Sequence, residues 1–282
     1  MCTYSAVFLD IDGTLLNSRH QVMPCTKDHL KYLQDRCIPI VLCSARSPEG
    51  VKRVAEQAEL QGPVACYNGG LVYDENHTIL RDVGIDIQTA IAFRRFVAER
   101  FPDLAVSAYL YNVWFAEDPQ HPLIRQEAEI TACTPLKVSL ERAAGTASHI
   151  HKLLCMGDSM RIRALAKETA QHFPQLMALR SKATYLEILP PESSKGSAAE
   201  VLLEHFGLSP KQAVAFGDSD VDADMLQYCG LGVAMGNAPR SVKDAADYVT
   251  ASNDEEGVYI ALNSLRLKAP GSGKNSKKAA SP

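Results

Sequence analysis

Apolar runs alternate with amphipathic stretches along the chain, and this alternation predicts strands separated by helices. The strand-like runs are residues 5–10, 38–43, 64–67, 213–217 and 231–235. The helical patterns near them are residues 26–36, 48–58, 196–206, 222–229, 239–247 and 256–266. Because parallel strands buried on both faces are continuously apolar and are joined by helices, we expect an α/β fold with a doubly wound, parallel sheet.

The middle of the chain has a different pattern, richer in strands. Strand-like segments cover residues 106–117, 149–156, 176–181 and 184–189, with helix-like segments at 87–101, 122–130 and 159–172. About 100 residues of this kind are enough for a domain of their own. We therefore expect an α+β unit over residues 83–190, inserted into a discontinuous core made of residues 1–82 and 191–266.

Charge is unevenly distributed. The whole chain carries −4 and the last 17 residues carry +5, so residues 1–265 carry −9. A body this acidic is a poor non-specific binder of nucleic acid, and we expect no nucleic-acid partner. Residues 267–282 are rich in Gly, Ser and Lys, a composition that predicts a disordered basic tail.

Eight cysteines form no C-x-x-C pair, and no apolar run reaches the length of a membrane span. No N-terminal signal peptide is apparent either. These features predict a reduced, cytoplasmic setting without a membrane partner. They leave the oligomeric state open.

The strongest chemical signal lies in residues 6–16, AVFLDIDGTLL, where a buried strand ends in Asp10 and Asp12. In open α/β sheets the active site lies beyond the carboxyl ends of the strands. Two acids there repel each other unless a cation offsets their charge, and one of them can then act as a nucleophile. Taken alone, the segment is equally compatible with a plain turn, because Asp and Gly favour turns.

Three later segments favour the catalytic interpretation. The strand at 38–43 is followed by Ser44, a lone Lys195 precedes the helical run 196–206, and the strand at 213–217 is followed by an acidic cluster that contains Asp218 and Asp222. A nucleophile, a hydroxyl, a lysine and an acid cluster, in this order, resemble the four motifs of the haloacid dehalogenase superfamily of phosphohydrolases.

Further motifs narrow the resemblance to the Cof-type branch (subfamily IIB). They are GDxxxDxxML from residue 217, VAMGNA from residue 233, ADYVT from residue 246 and SNDEEGV from residue 252. The resemblance covers residues 5 to about 265. It implies a Rossmann-like core, an inserted α+β cap of type C2B that selects the substrate by its shape, and a phosphatase that uses Mg²⁺ on small phosphorylated metabolites such as sugar phosphates or cofactor monophosphates.

The resemblance also implies a role for each motif residue. Asp10 would attack phosphorus to form an aspartyl-phosphate, and Asp12 would act as general acid and base. Lys195 would neutralise charge on the phosphoryl group and on Asp10. Ser44 and the backbone N–H groups of Ile11 and Ala45 would bind phosphate. The predicted metal-site residues are Asp10, Asp12 (through its carbonyl), Asp218 and Asp222, the last orienting a metal-bound water.

One position departs from the family pattern. Cof-type proteins usually carry Asn three residues after the acid that corresponds to Asp218, where it contacts phosphate, and this chain has Val221. A catalytically weakened protein that binds a phosphorylated metabolite therefore stays open as an alternative to the phosphatase. A phosphosugar mutase of the same fold is a second alternative, because the resemblance implies that an acid at Asp12 suits transfer to a sugar as well as hydrolysis and that mutases share this type of cap.

Weaker signals complete the candidate site. Asn68, in an Asn-Gly turn after the strand at 64–67, is expected to face the cleft, although such a turn needs no function. Arg46 is expected near the site and Asn68 is included with it among the phosphate-binding candidates. His149 and His151 share one side of a strand, but the sequence shows no third ligand and so predicts no zinc site.

Overall fold

The computed structural model describes residues 3–131 and 133–270. Its strands are β1 (Ala6–Asp10), β2 (Ile40–Cys43), β3 (Val64–Cys66), β4 (Leu71–Tyr73), β5 (Ile79–Asp82), β6 (Ile85–Asp86), β7 (Ala105–Leu110), β8 (Val113–Ala116), β9 (Leu136–Lys137), β10 (His149–Ile150), β11 (Lys152–Met156), β12 (Met177–Lys182), β13 (Tyr185–Leu189), β14 (Ala213–Gly217), β15 (Leu231–Ala234) and β16 (Tyr248–Val249). Its α-helices are α1 (Pro24–Gln34), α2 (Pro48–Ala58), α3 (Ile87–Arg100), α4 (Pro122–Thr131), α5 (Leu140–Ala143), α6 (Ser159–His172), α7 (Lys195–Phe206), α8 (Ala223–Tyr228), α9 (Arg240–Ala245) and α10 (Gly257–Ser264). The predicted basic tail falls largely outside the described residues, which end at residue 270.

The described chain divides into two compact units. Unit 1 comprises residues 1–46, 51–81 and 194–282, of which 3–46, 51–81 and 194–270 are described. Unit 2 comprises residues 47–50 and 82–193, with residue 132 not described.

Unit 1 is built on an eight-stranded sheet in the order β16-β15-β14-β1-β2-β3-β4-β5. The strands from β16 to β3 run parallel to their neighbours, and β4 pairs with β3 in the antiparallel sense. The predicted α/β class is confirmed, and the parallel sheet carries an antiparallel edge that the sequence did not predict.

Burial explains why the central strands of unit 1 are uniformly apolar. Every residue of β1, β2 and β14 is buried, and Phe8, Val41 and Ala215 belong to one core cluster with residues of α7 and α8. Leu202 of α7 and Met225 of α8 are among the helix residues of that cluster with no exposed surface. The loops that follow these strands are therefore anchored to a tightly packed core.

Unit 2 contains a six-stranded sheet in the order β12-β13-β11-β7-β8-β9 and a two-stranded sheet of β10 and β6. The pairs from β12 to β8 are antiparallel. Ile150, Leu153 and Ile188 pack with Phe93 of α3 and Leu165 of α6 in the core of this unit. The predicted α+β character of the middle of the chain is therefore present in unit 2.

Among the described residues, no helix combines the length and the apolar character that crossing a bilayer requires. The described cysteines are free thiols, and Cys43, Cys66 and Cys155 are buried in strands, as their apolar sequence context predicted.

Candidate active site

The predicted site residues of unit 1 come together at one edge of its sheet. Asp10 is the last residue of β1, Ser44 directly follows β2, and Asp218 directly follows β14. Both neighbours pair with β1 in parallel, with Leu9 opposite Leu42 and Phe216. Because parallel strands end at the same edge of a sheet, the three polar side chains emerge side by side.

Lys195 reaches this edge from the first turn of α7. Its ammonium group donates to Asp10 Oδ1 at 2.5 Å and also to Asp222 Oδ1. The lysine is only 1% exposed, so its charge has no water to stabilise it. Burial by itself would lower the pKa of Lys195, but the charges of Asp10 and Asp222 outweigh burial and raise it. The lysine therefore stays charged and ties the two carboxylates together.

Three carboxylates face one another at the site. Oxygen atoms of Asp10, Asp218 and Asp222 all lie within 4.8 Å of one another. Burial, followed by repulsion from Asp222, raises the pKa of Asp10, and Lys195 only partly opposes this; burial and Asp222 also raise the pKa of Asp218. One lysine thus leaves the cluster with excess negative charge.

The second oxygen of Asp10 provides a specific test of whether a cation fits. Asp10 Oδ2 is buried and has no hydrogen-bond partner among the described residues. An unpartnered buried carboxylate oxygen is costly, and a hard divalent cation prefers oxygen ligands of this kind. The donor set of Asp10 and Asp218 therefore fits Mg²⁺.

Asp222 has a different task, because its oxygens are already engaged. Besides the bond from Lys195, Oδ2 accepts hydrogen bonds from the N–H of Asp218 at 3.0 Å, the N–H of Ser219 at 2.9 Å and the hydroxyl of Ser219 at 2.8 Å. Gly217 leaves room for this arrangement, since a Cβ there would lie 2.4 Å from Asp222 Cβ. Asp222 holds the loop that presents Asp218, which agrees with an orienting role more than with direct ligation.

Asp218 is positioned by residues that the sequence analysis did not single out. The hydroxyl of Thr14 donates to Asp218 Oδ1 at 3.0 Å, and the Asn237 amide lies 2.8 Å from the Gly13 carbonyl and 3.4 Å from Asp218 Oδ2. Gly13 has φ +89°, and a Cβ there would lie 2.3 Å from Asp218 Oδ2. Gly13 and Thr14 lie in the AVFLDIDGTLL motif, and Asn237 lies in the VAMGNA motif. Their presence in these motifs was the only sequence signal of their role.

Asp12 lies outside the buried cluster and pairs with Arg46. Arg46 Nε and Nη2 donate to the two carboxylate oxygens of Asp12 at 2.8 and 2.6 Å, a bidentate geometry. Arg46 therefore lies beside Asp12, one of the predicted site residues. The pair is partly exposed, so it remains open to exchange with an incoming anion.

Ser44 and Asn68 lie next to each other. The Asn68 N–H donates to the Ser44 carbonyl at 2.9 Å, and the Ser44 hydroxyl oxygen accepts from the Arg46 N–H at 3.2 Å. Tyr67 and Asn68 both adopt left-handed backbone conformations, with φ +51° and +53°. Such a conformation is costly for Tyr and indicates a constrained position.

The side chain of Asn68 is an unusual feature of this turn. Its amide nitrogen and oxygen are both buried and have no hydrogen-bond partner among the described residues. Ile11 is fully buried after β1, and Ala45 is half-buried after Ser44. The backbone positions that the family resemblance implies for phosphate binding thus flank the polar edge.

Comparison with known proteins places the chain in a family. The model of the haloacid dehalogenase-like hydrolases matches residues 7–262. A predicted phosphatase of Haemophilus influenzae is 35% identical over 260 residues, covering 92% of this chain and 97% of the relative. The 5-amino-6-(5-phospho-D-ribitylamino)uracil phosphatase YwtE of Bacillus subtilis is 26% identical over 279 residues, covering 92% and 97%.

Solved structures agree with this assignment. A haloacid dehalogenase-like hydrolase from Bacteroides thetaiotaomicron is 27% identical with a TM-score of 0.83, and the match covers 93% of this chain and 99% of that one. A subclass IIB sugar phosphatase of the superfamily has the same fold, with 22% identity, a TM-score of 0.78, and coverage of 92% and 98%. The chain belongs to the haloacid dehalogenase-like hydrolases. Within that family it is a phosphatase of the Cof type.

Proposed function

We propose that this protein is a Mg²⁺-dependent phosphatase that hydrolyses small phosphorylated metabolites through an aspartyl-phosphate on Asp10. The observation that carries the proposal is the state of Asp10. One of its oxygens accepts a hydrogen bond from Lys195, and the other is buried with no hydrogen-bond partner among the described residues. A carboxylate fixed in this way can hold a cation through one oxygen and attack phosphorus with the other.

Asp10 and Lys195 act on the phosphoryl group together. Asp10 attacks phosphorus in line. Lys195 favours the ionised carboxylate that this attack needs, and a bound cation would favour it further. Lys195 neutralises the charge that develops as the ester oxygen leaves. Ser44 has a hydroxyl hydrogen to donate to a phosphoryl oxygen, and the unpartnered amide of Asn68 beside it supplies a second polar group.

Asp12 carries the protons. It protonates the leaving oxygen in the first half-reaction and removes a proton from the attacking water in the second. Arg46 holds its carboxylate in two hydrogen bonds, which fixes the orientation of the group. A phosphate dianion that binds Arg46 would compete with Asp12 for these bonds and free the carboxylate for proton transfer.

Mg²⁺ would be held by Asp10 and Asp218, with Asp222 fixing the loop of Asp218. When bound, the ion would offset the charge of the carboxylate cluster and polarise a phosphoryl oxygen.

The substrate class rests on the relatives. YwtE acts, by its name, on a phosphorylated ribityl group attached to a small heterocycle. We extend this class to the present chain as phosphate monoesters of sugars, sugar alcohols and cofactor precursors. The cytoplasmic location predicted from the sequence belongs with this proposal, since such metabolites are intracellular.

The test measures phosphate release from a panel of phosphorylated metabolites, with and without Mg²⁺. Wild type should turn over at least one of them only with Mg²⁺, and Asp10→Asn should abolish that turnover. Asp220→Asn is the matched control, because this exposed acid in the same loop accepts a side-chain hydrogen bond only from Ser241 among the described residues and should keep full activity. Turnover that survives in Asp10→Asn would contradict the aspartyl-phosphate.

A metabolite-binding protein is the second candidate, and Val221 favours it. Tight binding of a panel compound by wild type, without phosphate release, would support this alternative. Transfer of phosphate to a second sugar hydroxyl instead of water would support the mutase.

A further inference from the structure

Two histidines and an aspartate cluster in unit 2, and none of them belongs to the carboxylate cluster of unit 1. His149 in β10 and His151, which follows it by two residues, direct their Nε2 atoms at Asp82, the last residue of β5. The distances from Asp82 Oδ1 are 2.9 Å to His149 and 3.2 Å to His151. The sequence analysis found no third ligand for the histidine pair, and the structure supplies one 67 positions earlier in the chain.

These ligand atoms have the spacing of a zinc site. In a tetrahedral site with zinc-to-ligand bonds of 2.0–2.2 Å, neighbouring ligand atoms lie about 3.3 Å apart. Each of the three residues offers a ligand atom within 4.8 Å of the other two, and the two distances from Asp82 Oδ1 differ from the ideal by a few tenths of an ångström. An ion fits among them with small side-chain movements.

The second ring nitrogens and the second carboxylate oxygen are also engaged. Tyr111 donates its hydroxyl to Asp82 Oδ2 at 2.6 Å, and Ser148 Oγ lies 3.3 Å from His149 Nδ1. Outer contacts of this kind orient the ligands of metal sites. Gly84 contributes as well, since a Cβ there would lie 2.2 Å from His149 Cδ2.

The exposure of the cluster suits an ion. The side chain of His151 is fully buried, whereas those of His149 and Asp82 are 23% and 25% exposed. Solvent therefore reaches the cluster from one side, which gives an ion an entry path and a fourth position for water.

One hydrogen bond to His151 opposes the binding of a metal ion and would reduce its affinity. The Tyr111 N–H lies 3.4 Å from His151 Nδ1 and donates to it. A metal on Nε2 moves the His151 proton to Nδ1 and gives up this contact. At 3.4 Å the bond is near the limit of hydrogen bonding, so its loss weakens the site without preventing ligation.

We propose that Asp82, His149 and His151 form a zinc site of the His₂Asp type in unit 2. Two imidazoles and one carboxylate are the donors that zinc accepts with a fourth position open. The ion links the segment around Asp82 to the segment 149–151, and its binding therefore stabilises unit 2.

The test measures zinc stoichiometry by equilibrium dialysis of the full chain, together with the ligand-field spectrum of added Co²⁺. The catalytic carboxylates can also hold zinc, so Asp218→Asn serves to separate the two sites. We expect one zinc that is retained in Asp218→Asn and lost in His149→Ala and Asp82→Asn, with affinity at least about tenfold weaker in each. Co²⁺ should give the intense visible absorption of a four-coordinate site.

His172→Ala is the matched control, since it removes an exposed histidine of unit 2 that pairs only with Glu168 among acids. It should keep the zinc and the rise of a few degrees in melting temperature that zinc causes. Equal zinc stoichiometry in wild type and His149→Ala would overturn the proposal, as would a wild type that binds no zinc beyond the site lost in Asp218→Asn. Either result would leave the phosphatase proposal unaffected, because the two sites share no residue.

Discussion

At the scale of single residues, Val221 is the clearest departure from the family pattern. It lies half-buried in the 3₁₀ turn of residues 220–222, and a valine side chain has no hydrogen bond to offer a phosphoryl oxygen. Val221→Asn should raise the turnover rate or the phosphate affinity by roughly ten- to a hundredfold, the worth of one charge-assisted hydrogen bond. Steady-state kinetics and inhibition by inorganic phosphate measure both quantities.

Asn68→Ala separates two explanations of that outcome. If Asn68 already fills the role of the missing asparagine, Asn68→Ala should weaken phosphate binding when it is introduced into the wild-type protein. The same substitution should have a smaller effect when it is introduced into the Val221→Asn variant. An unchanged rate and an unchanged phosphate affinity in Val221→Asn would show that the position needs no polar group.

A second prediction at the scale of single residues concerns Gly13. Gly13→Ala places a methyl group 2.3 Å from Asp218 Oδ2, in a backbone conformation with φ +89°. Gly207→Ala is matched for backbone strain, with φ +66°, but its Cβ meets no atom within 4 Å. Both variants should lose about 1–2 kcal/mol of stability, because both force alanine into a left-handed conformation.

Only Gly13→Ala should also lower phosphatase activity and Mg²⁺ affinity, by at least about tenfold each, since displacing Asp218 removes a ligand position. Thermal unfolding and Mg²⁺ titrations of the two variants distinguish strain from displacement. Comparable loss of activity in Gly207→Ala would mean that the strain alone disturbs the site.

At the scale of elements, α7 is the helix that delivers Lys195. Ser194 caps it, with its Oγ accepting from the Ser197 N–H at 3.0 Å. Ser194→Ala should cost about 1 kcal/mol of stability and lower the specificity constant roughly fivefold, because Lys195 is the first residue after the cap. Urea unfolding and kinetics measure the two effects.

Two further variants sharpen this prediction. Ser194→Thr keeps a capping oxygen and should restore both values. Ser139→Ala removes the equivalent cap of α5 in unit 2, where Oγ accepts from the Arg142 N–H at 3.3 Å, and should leave kinetics unchanged. Loss of activity in Ser139→Ala would show that the helix cap acts by general destabilisation and not through Lys195.

The sequence predicted most elements to within two residues, because long apolar or amphipathic runs dominate their pattern. The elements it did not predict are short: β4 has three residues and β9 has two, too few for a periodicity to show. The run at 106–117 is two strands, β7 and β8, separated by a turn in which Tyr111 has φ +48°. The sequence analysis did not predict this change of chain direction.

The proximity of Asp10, Lys195 and Asp218 was predictable for a similar reason, since each one ends, begins or directly follows a recognisable element. Pairings between surface side chains were not. Arg46 was expected near the site but its partner Asp12 was not named, and Asp82 was not connected with the histidines at all. Such contacts depend on how distant turns fold back, which hydrophobic periodicity does not encode.

At the scale of the whole molecule, the raised carboxyl pKa values make stability depend on pH and on Mg²⁺. The pKa values of Asp10 and Asp218 lie above their ordinary value of 3.8 in the folded, metal-free protein. The folded state therefore binds more protons than the unfolded state, so stability falls as pH rises above about 4 through the raised pKa values. The raised pKa of Lys195 adds stability that is fully present below its ordinary 10.5 and so stays constant over this range.

Mg²⁺ should offset the loss, because it binds the ionised carboxylates. We expect the free energy of unfolding gained with Mg²⁺ to be larger at about pH 8 than at about pH 5, measured by urea unfolding. Asp218→Asn removes one of the two titrating groups and should flatten both the pH dependence and the Mg²⁺ effect. A gain from Mg²⁺ that is equal at both pH values in wild type would contradict this account.

The place of β1 between β2 and β14 also governs when a newly made chain becomes active. While the ribosome is still adding residues 82–212, one edge of β1 lacks its partner strand, since Val7 pairs with Val214. An unpaired apolar edge invites aggregation or chaperone binding, whereas unit 2 is nearly continuous in the chain and can complete its core during synthesis. A chain that stalls or terminates before residue 195 carries Asp10 without Lys195 or Asp218. We therefore expect such a product to have no phosphatase activity, so that activity appears only once β14 has joined the sheet.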